Sequence, residues 1–178
     1  MQNAIIHFSI IIPVYNRPKE LDELLASIVG QNFTHDFEVL VIEDGSVNKS
    51  DIVVKSYTSK LNIAYFFKQN SGAGASRNFG MQKASGNYFI ILDSDVILPK
   101  QYLTQVHIAL SKNYTDAFGG PDAAHKKFTY LQKAINYSMT SLLTTGGIRG
   151  KKIAIGKFQP RSFNYGISKL AFTKKAGF

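Results

Sequence analysis

Four apolar runs along the chain are each followed at once by a polar cluster. Phe8 to Ile12 leads into Pro13-Val14-Tyr15-Asn16, and Phe37 to Ile42 leads into Glu43-Asp44-Gly45-Ser46. Ile63 to Phe67 leads into Gln69-Asn70-Ser71-Gly72-Ala73-Gly74-Ala75-Ser76-Arg77-Asn78, and Tyr88 to Leu92 into Asp93-Ser94-Asp95. The runs are dense in Ile, Val and Phe without alternation, as strands buried on both faces of a parallel sheet require. Between them lie helical patterns. Lys19 to Val29 sets Leu21, Leu24, Leu25 and Ile28 on one face, and Ala73 to Ala84 is rich in small residues. This alternation predicts an α/β fold, a mostly parallel sheet flanked by helices. Gly119-Gly120-Pro121 marks an organisational boundary. Beyond it Phe128, Leu131, Ile135, Met139 and Leu142 recur at helical spacing, and Thr144 to Lys152 reads as a basic glycine-bearing loop. Phe163 to Ser168 reads as a further strand and Ser168 to Ala176 as a short helix.

A chain of 178 residues suits one domain with a sizeable core. The apolar start, Met1 to Ile12, is interrupted by His7, lacks a basic leader and is too short to span a bilayer, so it reads as the first strand. The absence of cysteine excludes disulfides and thiolate metal sites and fits a cytoplasmic setting. His7, His35, His107 and His125 show no ligand spacing and read as ordinary surface or core residues. The net charge of +9 is unevenly spread: residues 121–178 hold eleven of the 21 basic residues and, in Asp122, one of the 12 acids. Such asymmetry suggests a phosphate-bearing partner, whether nucleic acid, anionic lipid or a pyrophosphate substrate; a solvated basic face accounts equally well for any single lysine. The apolar stripe from Phe128 to Leu142 suits core packing or an interfacial helix.

In an open α/β sheet the crevice lies at the carboxyl ends of the strands, where these polar clusters fall. Asp93 and Asp95, one residue apart, are able to hold a divalent ion against a phosphate, although Asp and Ser before Pro99 also suit a turn or helix cap. Tyr15 offers a flat contact for a base, or strand-end packing. Asp44 offers an acceptor for a uracil N–H, or a tight Asp-Gly turn. Asn70, Gly72 and Gly74 allow close backbone approach, and Arg77 offers a planar fork to a diphosphate. A dinucleotide fingerprint is excluded because Arg77 stands where the third glycine after Gly72-Ala73-Gly74 is required, and no Walker lysine pattern occurs.

The ordered set Ser9 to Asn16, Glu43 to Ser46, Asn70 to Asn78 and Asp93-Ser94-Asp95 resembles the donor half of a family 2 glycosyltransferase with the GT-A fold, the Rossmann-like fold of nucleotide-diphospho-sugar transferases. The likeness is close over residues 8 to about 120 and looser at Gly119-Gly120-Pro121 and Phe163-Asn164-Tyr165-Gly166-Ile167 to Gly177-Phe178. Where that family usually has Asp-Asp-Gly-Ser, Glu43 stands first, which keeps the carboxylate. The resemblance implies that Pro13, Tyr15, Asp44, Asn70 and Arg77 face the nucleotide, and that Asp93 and Asp95 face the diphosphate and its Mg²⁺ or Mn²⁺, as a DxD motif. It implies inverting transfer of a sugar from a nucleotide donor, a UDP-sugar above all, to the hydroxyl of a glycan or lipid-linked acceptor, as in cell-surface polysaccharide synthesis. The family's general base follows a Gly-Phe pair like Gly177-Phe178, so the catalytic base is expected beyond Phe178 and the chain is expected to be a piece of a longer enzyme. Of the acids after Asp95, Asp116 is expected to end a helix, and Asp122 to follow a turn near metal or acceptor. Residues 1–120 are then the donor half and 121–178 a basic, incomplete acceptor-side segment of the same domain. The expected setting is cytoplasmic, peripheral at the inner face of a membrane with an anionic surface as a possible partner, and nucleic acid is disfavoured. Two alternatives stay open: a basic module binding phosphate surfaces, and a sugar nucleotidyltransferase, whose early Gly-rich activation loop has only Asn16-Arg17-Pro18 to match it.

Overall fold

Ile10, Ile11 and Ile12 are all fully buried although they alternate between faces, because the strand that carries them is covered on both sides. The computed structural model describes residues 5–119 and 164–175. In chain order its elements are β1 (Phe8–Val14), α1 (Pro18–Val29), β2 (Phe37–Asp44), α2 (Asp51–Tyr57), β3 (Ile63–Lys68), α3 (Ala73–Lys83), β4 (Tyr88–Leu92), α4 (Tyr102–Lys112), β5 (Ala117–Gly119), β6 (Asn164–Ser168) and α5 (Lys169–Lys175). They build one sheet in the order β3-β2-β1-β4-β6-β5. The first four strands are parallel, and β6 runs antiparallel to both β4 and β5.

One face gathers Phe8, Ile10, Ile12 and Val14 of β1 with Val39, Val41, Ile90 and Leu92 beneath Leu21, Leu24, Leu25 and Ile28 of α1, Val54 of α2 and Leu103 and Leu110 of α4. The other sets Ile11, Leu40, Ile42, Phe89 and Ile91 against Met81 of α3 and Phe172 of α5. Burying each such side chain contributes about 1.5–3 kcal/mol. Gly80 fixes the height of α3: a Cβ there would stand 2.5 Å from Ile11 Cγ2 and 3.1 Å from Ile42 Cγ1. Any side chain at that position would lift the helix, and Arg77 one turn earlier with it.

The α/β architecture matches the expectation, with differences at the edges. Strands β1 and β2 each run two residues further than the apolar runs, so Pro13 and Asp44 lie within strands. Proline is tolerated in β1 because pairing with β4 ends at Ile11 and Ile91, leaving Pro13 beyond it. Asp116 does not end a helix. Helix α4 stops at Lys112, and Asp116 is held by β6, its carboxylate accepting from Ser168 Oγ (2.7 Å) and its carbonyl from Ser168 N–H (2.8 Å). Asp122, the stripe from Phe128 to Leu142, the loop Thr144 to Lys152 and Phe163 lie outside the described residues. No helix among the described residues is long and apolar enough to cross a membrane.

Candidate active site

The chain steps outward from β1 to β2 to β3 and then returns to lay β4 on the other side of β1. The reversal falls between the carboxyl ends of β1 and β4, the usual position of the ligand crevice in such sheets. The lip is built from Asn16, whose φ of 56° is left-handed, a conformation that Asn tolerates better than most residues. Its Oδ1 accepts from the N–H groups of Val47 (2.9 Å) and Asn48 (3.0 Å), and its own N–H donates to Ser46 Oγ (2.7 Å). Beneath them Glu43, fully buried, accepts from the Ser46 hydroxyl and from Ser50 N–H (2.8 Å), with the Tyr65 hydroxyl at 3.4 Å. Burial, reinforced by the carboxylates of Glu43 and Asp51, pushes the Tyr65 phenol well up, so it stays a donor. The first two loops are thus tied through one carboxylate. Tyr15, just before Asn16, is left 53% exposed with its ring available at the lip, above half-buried Pro13.

Asp44 is almost wholly buried at the end of β2. Its Oδ1 accepts from Lys68 Nζ and from Ser71 N–H (3.0 Å), its Oδ2 from Gly72 N–H (2.8 Å), and its carbonyl from Asn70 Nδ2 (2.8 Å). Burial alone would raise the carboxyl, but the Lys68 ammonium, the Ser71 N–H and Ser76 outweigh it and hold it below the usual carboxylate range. Asn70 therefore braces the loop. Its backbone leaves no room at Gly45, where φ is +73° and a Cβ would stand 2.6 Å from Asn70 N. Gly72 and Gly74 at the start of α3 face open space, with nothing within 4 Å of an added Cβ, so the backbone there can be approached closely.

Arg77 is nearly buried; Nη2 donates to Asp93 Oδ1 at 2.9 Å, and Nε is buried without a partner. Asp95, half exposed, receives Arg17 Nη1 at 2.7 Å across the crevice. Each carboxylate of the Asp93–Asp95 pair therefore holds one arginine. Among the described residues no group of three or more His, Asp or Glu gathers where it could hold a cation. Two hard oxygen donors on an open edge nevertheless suit Mg²⁺ or Mn²⁺, which fill their remaining positions with phosphate oxygens and water.

Tyr15, Asp44, Asn70, Arg77, Asp93 and Asp95 thus lie at one edge of the sheet, with Pro13 just inside it. Sequence reasoning missed three partners. Lys68 was signalled by register, since it stands opposite Asp44 between β2 and β3. Arg17 and the bracing role of Glu43 depend on loop geometry that carries no sequence pattern.

The model of the family described as Glycosyl transferase family 2 matches residues 9–175. Chondroitin synthase of Escherichia coli is 33% identical over 151 residues, covering 80% of this chain and 22% of the relative. Among solved structures, Staphylococcus aureus TarS 1–349 in complex with UDP-GlcNAc superposes with a TM-score of 0.72 at 24% identity, covering 96% of this chain and 48% of that one. Mannosyltransferase PcManGT from Pyrobaculum calidifontis, in complex with GDP-Man and Mn²⁺, gives a TM-score of 0.71 at 17% identity, covering 99% and 48%. The chain thus spans about a fifth of the length of the first relative and about half of each solved chain.

Proposed function

This chain belongs to glycosyl transferase family 2 and has its GT-A fold, and we propose that it binds the donor for inverting transfer of a sugar from a UDP-sugar to an acceptor hydroxyl, with the help of a divalent cation. The observation that carries this reading is the convergence of Tyr15, Asp44, Arg77 and the Asp93–Asp95 pair on the crevice between β1 and β4. Tyr15 stacks on the uracil, whose imide N–H donates to Asp44, and the Gly72–Gly74 turn lets the ribose and phosphates approach the start of α3. Arg77 exchanges its bond to Asp93 for the diphosphate, and Arg17 releases Asp95 in the same way. The freed carboxylates of Asp93 and Asp95 would hold Mg²⁺ or Mn²⁺, which would supply stabilisation of the charge on the departing diphosphate. Inversion in one displacement needs a base across the sugar ring to take the acceptor proton. The basic residues of 121–178 favour an anionic acceptor, glycan or lipid-linked, and peripheral contact with an anionic membrane surface.

Thermal shift with UDP tests this reading. UDP should stabilise the chain more in Mn²⁺ than in chelator, and Asp95→Asn should remove that difference while leaving the ligand-free melting temperature nearly unchanged, because a half-exposed ion pair contributes only about 0–1 kcal/mol. A UDP shift indifferent to Mn²⁺ would refute the metal role, and no UDP shift at all would refute the donor site.

A further inference from the structure

Lys68 has no place in the donor contacts described so far, yet its ammonium is fully engaged at the site. Nζ donates to Oδ1 of Asp44, to Ser71 Oγ at 2.6 Å and to the Gln69 carbonyl at 3.0 Å, with Ser76 Oγ at 3.2 Å. An ammonium has three donors, so all are spent on the protein and none is left for a ligand. The two Asp44 oxygens are unequal in consequence. Oδ1 accepts from both Nζ and Ser71 N–H and Oδ2 from Gly72 N–H, and the Ser76 hydroxyl also acts on the carboxylate. A hydroxyl rotates away readily, so Oδ2, which takes one fixed donor against two on Oδ1, is the oxygen with a site to give to a ligand.

We propose that Lys68 is a positioning residue for base recognition, which occupies Oδ1 and holds the Asp44 carboxylate so that the free site on Oδ2 receives an imide N–H of the uracil type. Such a role rests on Asp44 being the base acceptor, as proposed for the donor, and it adds selection among bases. Uracil carries a hydrogen on ring N3. Cytosine carries a lone pair there, which an ionised carboxylate repels and to which a protonated one would donate its hydrogen. Keeping Asp44 ionised and at a fixed angle therefore excludes the cytidine nucleotide. The cation beside it extends that exclusion to more acidic pH, in the direction already noted for this carboxyl.

The test measures UDP and CDP binding by titration calorimetry from pH 4.5 to 8, in chelator so that no cation contributes. Wild-type chain should prefer UDP over CDP and keep that preference to low pH. Lys68→Met should weaken UDP about tenfold at pH 7, about 1.4 kcal/mol, narrow the UDP-to-CDP ratio, and move the acid loss of UDP binding to higher pH. Lys68→Arg, which keeps the charge, should restore most of the ratio. Should Lys68→Met not fold, Ser71→Ala removes the 2.6 Å anchor of the ammonium and should move the pH profile the same way by a smaller amount. A variant with the wild-type ratio and pH profile, or one that loses both nucleotides by one factor at every pH, overturns the role of Lys68. Failure of the wild-type chain to prefer UDP over CDP would instead remove Asp44 as the base acceptor.

Discussion

Replacing Glu43 by alanine removes the carboxylate on which the first two loops depend. Its partners are buried: Ser50 is fully enclosed and Ser46 nearly so, and no water can take over the acceptor role without entering the core. Two donors, Ser50 N–H and the Ser46 hydroxyl, are left unpaired at about 1–3 kcal/mol each, and the vacated volume adds to the loss. Relief from burying a charge acts the other way. The net expectation is a loss of about 3 kcal/mol, equivalent to about 6–12 °C in melting temperature for a chain of this size. Glu43→Gln keeps one acceptor oxygen in the same volume and should lose about half as much. Urea unfolding followed by circular dichroism, with the slope checked for constancy, gives the free energies directly. A loss below about 1 kcal/mol in Glu43→Ala, or equal losses in both variants, would show that the loops do not hang on this carboxylate. A second readout follows from geometry. Ser46 holds Asn16 and Asn16 sets the exposed Tyr15, so UDP affinity should fall in Glu43→Ala even well below its melting point.

Glu38 carries the clearest pH signature. Burial would raise its carboxyl, but hydrogen bonds from Ser9, Ser85 and Gly86 outweigh this and hold it below the ordinary value of 4.5. Its contribution is present above that value and lost as pH falls through the lower folded one, so Glu38→Gln should flatten the stability profile below about pH 4.5, and an unchanged acid slope would refute this. Asp44→Ala should weaken UDP equally with and without Mn²⁺, unlike Asp95→Asn, and equal loss of metal dependence in both would dissolve the division of roles. Sedimentation with vesicles should find binding to anionic but not neutral lipid, at about 1 kcal/mol per engaged basic residue and decreasing with salt, and no binding at low salt would end the membrane reading.

Most of the central sheet was legible because buried parallel strands cannot alternate: Tyr88 to Leu92 is five buried residues in a row and reads as nothing else. The helix α1 was legible from its four leucine and isoleucine positions, all of which are buried. The short α2 was not, since Ile52 points out and only Val54 is buried, leaving no apolar face to read. The placing of β6 between β4 and β5 was not legible either, because apolar patterning marks a strand without naming its neighbours. At the site the carboxylates and the arginine on the third loop announced themselves by residue type at strand ends. The contacts between loops did not: Arg17 reaches Asp95 across 78 positions of sequence, and only the switch in strand order brings them together.

The antiparallel strand has a consequence for biosynthesis. Until Asn164–Ser168 arrives, β4 has a partner on one side only, and its other edge, Tyr88 to Leu92, is apolar throughout. About seventy residues separate the end of β4 from the start of β6. At translation rates of about 5–20 residues per second, a nascent chain therefore spends roughly 4–14 s with an open, sticky edge next to the crevice. Such an edge is a template for pairing with another nascent chain, so crowded ribosomes should favour aggregation before completion, and a chaperone that covers apolar strands would raise the yield more than one that acts after release.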